Sequence, residues 1–397
     1  RKKKKRKIIK NKTMEKARYS KRNSSGIKPK RLKSLLKKLI NIYSPYGKEE
    51  EIGMFLYNYL KEHGLPVLRQ PVQGERVNLL VIPENTEPLL VLVGHIDTIP
   101  APDLEDYKYR AKGKHRDKIF GLGAADMKAG CAAMIEAYIC QWQVFQHRVP
   151  AALALVVGEE DQGDGAEQFL NEYHFPYAVV GEPTDLTPCF SHYGYIEANI
   201  GTRGKRIHAS LAHDGVNAIE SMLRLILKII DYLKSKRQEI VYNIRDLSSS
   251  ASGFEVPEQC EVWLDLHLPP HSAIEAVAHE LEELVYNEGR ENPHLNAVLQ
   301  FSYLHSGYQL PEKGDIYNQL KSIYEGLSLN FTPGSFRSHS DANQFWEAGI
   351  RPILLGPGQL EHAHMPEEFV SFPQVLSAAE IYYSLLNPLS RQTAIQL

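Results

Sequence analysis

Four short runs of almost unbroken apolar residues constrain this chain most: VNLLVIP at 77–83, PLLVLVGHID at 88–97, ALALVVGEE at 152–160 and YAVVGEP at 177–183. Strands apolar along their whole length must be covered on both faces. Helical patterns separate the runs, so a largely parallel α/β sheet between helices is expected. Before the sheet, Leu32, Leu35, Leu36, Leu39 and Ile40 recur at helical spacing, as do Ile52, Phe55, Leu56, Tyr59 and Leu60, with SPYG turning between them. DMKAGCAAMIEAYICQW (126–142) is a helix whose small residues let it lie close to a sheet.

The pattern changes near residue 190. Residues 191–210 alternate and read as half-exposed, 217–236 is an amphipathic helix, 259–268 a strand and 273–289 a second helix, together a compact α+β unit. From about residue 305 the α/β character returns, with helices expected near 314–326 and 373–386. At 397 residues the chain exceeds one ordinary core. The expected organisation is a basic disordered tail over 1–30, a first catalytic part over 31–190, an inserted domain over 191–304 and a second catalytic part over 305–397.

Charge is unevenly divided. Residues 1–30 hold 15 Lys/Arg and one acid, leaving 31 basic and 47 acidic residues in an acidic body. The tail is a candidate for nucleic-acid or anionic-surface binding, for an address signal, or for a misjudged start before Met14; nucleic acid is not expected to be the partner of the body. No apolar run is long enough to span a bilayer, and no secretory apolar stretch follows the charges. The four cysteines, Cys131, Cys140, Cys189 and Cys260, form no CxxC pair, which fits free thiols and a cytoplasmic location.

Chemistry-bearing residues collect just after the apolar runs, where open α/β sheets place their ligand sites. His95 and Asp97 end the second run, Glu159 and Glu160 the third and Glu182 the fourth; Asp126 opens a helix after GLGAA, and His362 and His364 lie in GPGQLEHAHMPEE. Each has an ordinary explanation on its own: a structural Asp–His pair, a solvated glutamate pair, a helix cap. Together they form an imidazole and carboxylate set without cysteine, suited to zinc and, less firmly, cobalt or manganese. Asp126 has two oxygens with which to bridge a metal pair. One of two adjacent glutamates can bind metal while the other acts as a base.

GHIDT (94–98), GLGAADMKAG (121–130), VVGEED (156–161), VGEPT (180–184), GKRIHASLAHDGVNAIE (204–220) and GPGQLEHAHMPEE (356–368) occur in an order that resembles the M20 metallopeptidases and deacylases. That family includes acetylornithine deacetylase, succinyl-diaminopimelate desuccinylase, aminoacylase and glutamate carboxypeptidase. The resemblance runs from about residue 35 to the end. It implies a zinc-peptidase-like catalytic domain with a mostly parallel sheet, carrying an inserted α+β dimerisation, or lid, domain. It implies two Zn²⁺ per chain (Co²⁺ or Mn²⁺ as alternatives): His95 and Glu182 on one, Glu160 and His364 on the other, Asp126 shared. Asp97 would orient His95, Glu159 would be the general base, and His208 would stabilise the oxyanion, in the family at the partner subunit's site. His364 is preferred to His362 by its distance from GPG.

Two positions depart from the family pattern. Phe254 stands where many relatives have Asn, and His267 where they have the Arg of a DxR segment, both used to grip substrate carboxylates. Arg337 in SFRSHSDANQF is the substitute candidate, with a surface ion pair as its ordinary alternative; Ser338, His339 and Asp341 lie in the same loop. The reaction expected is hydrolysis of the amide bond of a small N-acylated amino acid by a hydroxide on the metal pair. A dipeptidase or carboxypeptidase with the same metals, or a catalytically silent binding relative, are the alternatives. The expected partner is a second copy through the inserted domain, with no membrane involved.

Overall fold

The structure, a computed structural model, describes residues 26–84, 88–101, 107–113, 117–145, 149–250 and 253–387. Two compact units are present. The first runs to Cys189 and includes Pro311–Gly334 and the chain from Ala348 onward; the second comprises Phe190–Leu310 and Ser335–Glu347.

In the first unit the sheet order is Val67–Pro71, Val77–Val81, Ala151–Val156, Leu90–His95, Tyr177–Val180 and Arg351–Leu354. The last four are mutually parallel. The first two are antiparallel to their neighbours, so VNLLV lies at an antiparallel margin. Every residue of Leu90–His95 and Ala151–Val156 is buried, each large apolar side chain contributing about 1.5–3 kcal/mol of burial free energy. The helix Lys128–Phe145 is buried on all sides from Lys128 to Gln141, which explains its all-round apolar composition. At Gly130 a Cβ would stand 2.1 Å from the Gly181 carbonyl oxygen, so glycine lets the helix start touch the strand end.

The tail boundary differs from expectation. A helix begins at Pro29, and the Lys28 backbone N–H and the Arg31 guanidinium both bond the fully buried Glu136 carboxylate. Burying that acid requires these donors, so residues 26–30 belong to the folded body. Residues 1–25 lie outside the described residues.

The second unit is a four-stranded antiparallel sheet in the order Val241–Ser249, Gln259–Leu268, Gly194–Arg203, Asn296–His305. Helices Ala218–Lys236 and Ile274–Glu291 connect them in a split βαβ pattern. The core joins Ile196, Ile200, Val262 and Leu264 from the sheet to Leu225, Ile229, Val277 and Leu281 from the helices. Gly194–Arg203 is central and mostly buried, where half-exposure was expected. The expected boundary at 304 falls inside the strand Asn296–His305, and the unit continues to Leu310. Residues 335–347 also group with it rather than with the second catalytic part. The reason is polar: buried Asn343 donates to the Tyr193 and Ser306 carbonyls, and Ser340 Oγ meets His192 Nε2 at 2.8 Å.

Candidate metal centre

The centre is built within the first unit, on ends of parallel strands and the turns that follow them. His95 ends the strand Leu90–His95 and is 1% exposed. Its Nε2 lies 3.2 Å from Asp126 Oδ1, and 3.8 Å from both Glu159 Oε2 and Glu182 Oε1. Its Nδ1 is 3.2 Å from the Asp97 carbonyl oxygen and 3.6 Å from Asp97 Oδ1. Asp97 therefore faces the imidazole mainly through its backbone. Its carboxylate accepts the Gly158 and Glu160 N–H groups, at 2.9 Å each.

Asp126 directs its two oxygens to opposite sides. While Oδ1 faces His95, Oδ2 is 3.5 Å from His364 Nε2. His364 Nε2 is also 3.0 Å from Glu160 Oε2. His364 holds a left-handed backbone at φ 58, strained for a non-glycine residue and common at functional positions. His362 instead packs its ring on Phe369, centroids 4.0 Å apart. Three overlapping donor groups result: His95, Asp126 and Glu182; Asp126, Glu160 and His364; and His95, Glu159 and Glu160.

Electrostatics show what this cluster can hold. Five acids (Asp97, Asp126, Glu159, Glu160 and Glu182) crowd two imidazoles. Burial pulls the His95 pKa down, but Glu159, Asp126, Asp97 and Glu182 outweigh it and raise it well above its usual value. Hydrogen bonding to Glu160 lifts His364 to about 9. Burial and the charge of Asp126 push Glu160 up. Burial also opposes ionisation of Asp126, but the His95 and His364 contacts hold its pKa down. Protons on the histidines compensate the excess negative charge only in part. A pair of divalent cations would offset four of the five negative charges and displace those protons. Two imidazoles and several carboxylates without thiolate form an N/O donor set that fits zinc, cobalt or manganese.

Glu368 was not among the residues expected here. Its carboxylate, 3% exposed, accepts the N–H groups of Gly123 (2.8 Å), Ala125 (2.7 Å) and Asp126 (3.0 Å), holding the loop that presents Asp126. Burial pushes its pKa up to about 7 against those three donors. In the sequence Glu368 is simply the second of the two acids that end HAHMPEE.

His208, His267, Arg337 and Ser338 all belong to the second unit. His208 is exposed; its Nδ1 accepts the Ser210 N–H at 3.2 Å and meets Ser210 Oγ at 2.8 Å. An accepting Nδ1 puts the ring proton on Nε2. His267 packs 5.3 Å from the Tyr195 ring, and its buried Nδ1 has no hydrogen-bond partner among the described residues. Burial lowers its pKa, so it offers a neutral ring at the position where the resemblance leads one to expect an Arg. Arg337 is exposed and makes no ion pair among the described residues. Phe254 is 82% exposed.

The model of Peptidase family M20/M25/M40 matches residues 91–387. A probable carboxypeptidase of Emericella nidulans is 26% identical over 385 residues, covering 89% of this chain and 88% of that protein. An acetylornithine deacetylase of Vibrio atlanticus is 24% identical over 344 residues, covering 82% and 88%. A tripeptidase from Staphylococcus aureus superposes with a TM-score of 0.75 at 20% identity, covering 92% of this chain and 100% of that one. The family match spans most of the chain and includes every residue of the centre described above, so the chain belongs to peptidase family M20/M25/M40 and is a hydrolase of amide or peptide bonds.

Proposed function

We propose that the protein hydrolyses the amide bond of a small N-acylated amino acid at a pair of divalent metals, zinc first among them. The observation that carries this reading is the geometry of Asp126, with one oxygen toward His95 and the other toward His364. His95 and Glu182 would hold one metal and Glu160 and His364 the other, with Asp126 available to both. When bound, the metals supply Lewis acidity that makes water nucleophilic near neutral pH and polarises the amide carbonyl. Glu159 receives the proton of the attacking water and returns it to the leaving nitrogen. Asp97 fixes both His95 and the turn bearing the two glutamates.

His208 supplies an N–H to the oxyanion, a role supported by its Nε2–H tautomer. His208→Ala is expected to lower kcat roughly 10²–10³-fold with the metals still bound; unchanged turnover removes it from the reaction. Without a charged His267, Arg337 is the candidate for a substrate carboxylate, which it can meet bidentately, and Ser338 lies beside it. The cytoplasm is the proposed compartment, supported by four buried free cysteines. No helix among the described residues is long and apolar enough to cross a membrane.

The inserted unit is proposed to pair two copies of the chain. Support comes from the edge strand Val241–Ser249 with exposed Val241 and Leu247, and from exposed Leu223 and Leu227 on the helix Ala218–Lys236. Val241→Glu with Leu227→Glu is expected to turn a dimer into a folded monomer in sedimentation velocity; a wild-type monomer at the same concentration contradicts the pairing.

A panel of N-acetyl and N-succinyl amino acids against dipeptides tests the substrate class. Higher kcat/KM on the acylated amino acids supports deacylation. Higher kcat/KM on dipeptides favours the peptidase reading, toward which the probable carboxypeptidase relative points.

A further inference from the structure

The loop bearing Glu159 and Glu160 is held from two sides. Asp97 binds it on the metal side. On the far side is a buried ion cluster with no part in the reaction described above. Arg76, 8% exposed, donates from Nε and Nη2 to Glu49 Oε1 at 3.0 and 2.9 Å. Its Nη2 also donates to Asp164 Oδ1 at 3.0 Å, and its Nη1 to Asp164 Oδ2. The Tyr46 ring covers the guanidinium, 4.3 Å from centroid to Cζ. Asp164 begins the helix that follows the loop.

The loop itself rests on this cluster. Gly158 has φ 82, and a Cβ there would stand 2.1 Å from Asp164 Oδ1 and 2.4 Å from Arg76 Nη2. The backbone before Glu159 thus lies directly against the ion pair. Asn78, fully buried, accepts the Val157 N–H at 3.1 Å and donates to the Gly165 carbonyl at 2.8 Å, clasping both ends of the loop. Gly163 N–H closes the loop on the Gly158 carbonyl at 2.7 Å.

A cation this buried is costly unless its charges are matched and its geometry is good, and apolar packing would hold a margin of the sheet without it. What the guanidinium supplies is a rigid two-pronged link between Glu49 and the start of the Asp164 helix, at the point where the loop turns toward the metals. We propose that Arg76 is a positioning residue. Through Asp164 and Gly158 it sets the height of Glu159 and Glu160, and so governs both proton transfer and retention of the metal held by Glu160. The inference rests on the roles proposed above for those two glutamates.

Arg76→Lys and Asp164→Asn in the full-length protein test it. Lysine keeps the charge but loses the fork; asparagine keeps the shape and leaves the Arg76–Glu49 contact in place, so the second variant stays informative if the first misfolds. Both are expected to melt cooperatively, to lower kcat by roughly 10–100-fold with KM within roughly twofold, and to lose zinc to a competing chelator more readily than wild type. Folded variants with wild-type kcat and wild-type zinc retention overturn the proposal. Glu159→Gln run in parallel separates the two claims. If it abolishes turnover while Arg76→Lys and Asp164→Asn do not reduce it, the clamp alone is wrong. If Glu159→Gln is fully active, the reading of the loop as catalytic is wrong, and zinc retention still judges the clamp.

Discussion

Glu159→Gln lowers kcat by roughly 10²–10⁴-fold and leaves the metal content unchanged. Glutamine has the size and most of the packing of glutamate but cannot accept a proton at neutral pH, so the loss isolates general-base catalysis. The metals stay because each keeps a donor group that does not require Glu159: His95, Asp126 and Glu182 on one side, Asp126, Glu160 and His364 on the other. KM should move little, since the side chain acts mainly in the transition state. Steady-state kinetics with metal analysis on the same preparation check both parts. Near-normal kcat would place the base elsewhere, whereas lost metal would make Glu159 a ligand.

Asp126→Asn has the largest effect on metal binding. Its carboxylate faces both imidazoles, at 3.2 and 3.5 Å, so its charge serves both positions. Asparagine offers one weak oxygen ligand in place of two anionic ones, and metal content should fall toward zero with activity falling alongside. His364→Ala removes a ligand from one position only and should leave about half of the metal. Thermal melts give a second readout. Added zinc raises the melting temperature of the wild type, because a ligand that binds only the native state stabilises it, but not that of Asp126→Asn. Full metal content in Asp126→Asn would show that the two positions do not share it.

Much of this architecture is legible in the sequence where burial is complete. LLVLVGH and ALALVV are apolar on both faces because the sheet is covered on both, and they emerge as parallel strands. Where one face is solvated or the strand is an edge, the pattern weakens. Val241–Ser249 is exposed along almost its whole length and shows no alternation. The run 77–81 is as apolar as its neighbours, and nothing in its composition tells that it pairs antiparallel. For the centre, residue type and order bring forward the histidines and acids, but not the groups that hold them. Glu368 acts through three backbone N–H groups, and Arg76 through charges 27 and 88 residues away in sequence. Long-range pairing of this kind leaves no periodic trace. The substrate end is least legible, since His267 and Phe254 replace the charged and polar residues that the resemblance led one to expect.

Counting metals per chain in protein purified without chelator, while assaying N-acyl amino acid hydrolysis as zinc or cobalt is titrated back, tests the central claim most directly. The arrangement around Asp126 predicts about two metals per chain at full activity, with release of free amino acid rising and falling with that content. Protein that binds no metal and hydrolyses nothing after reconstitution would contradict it.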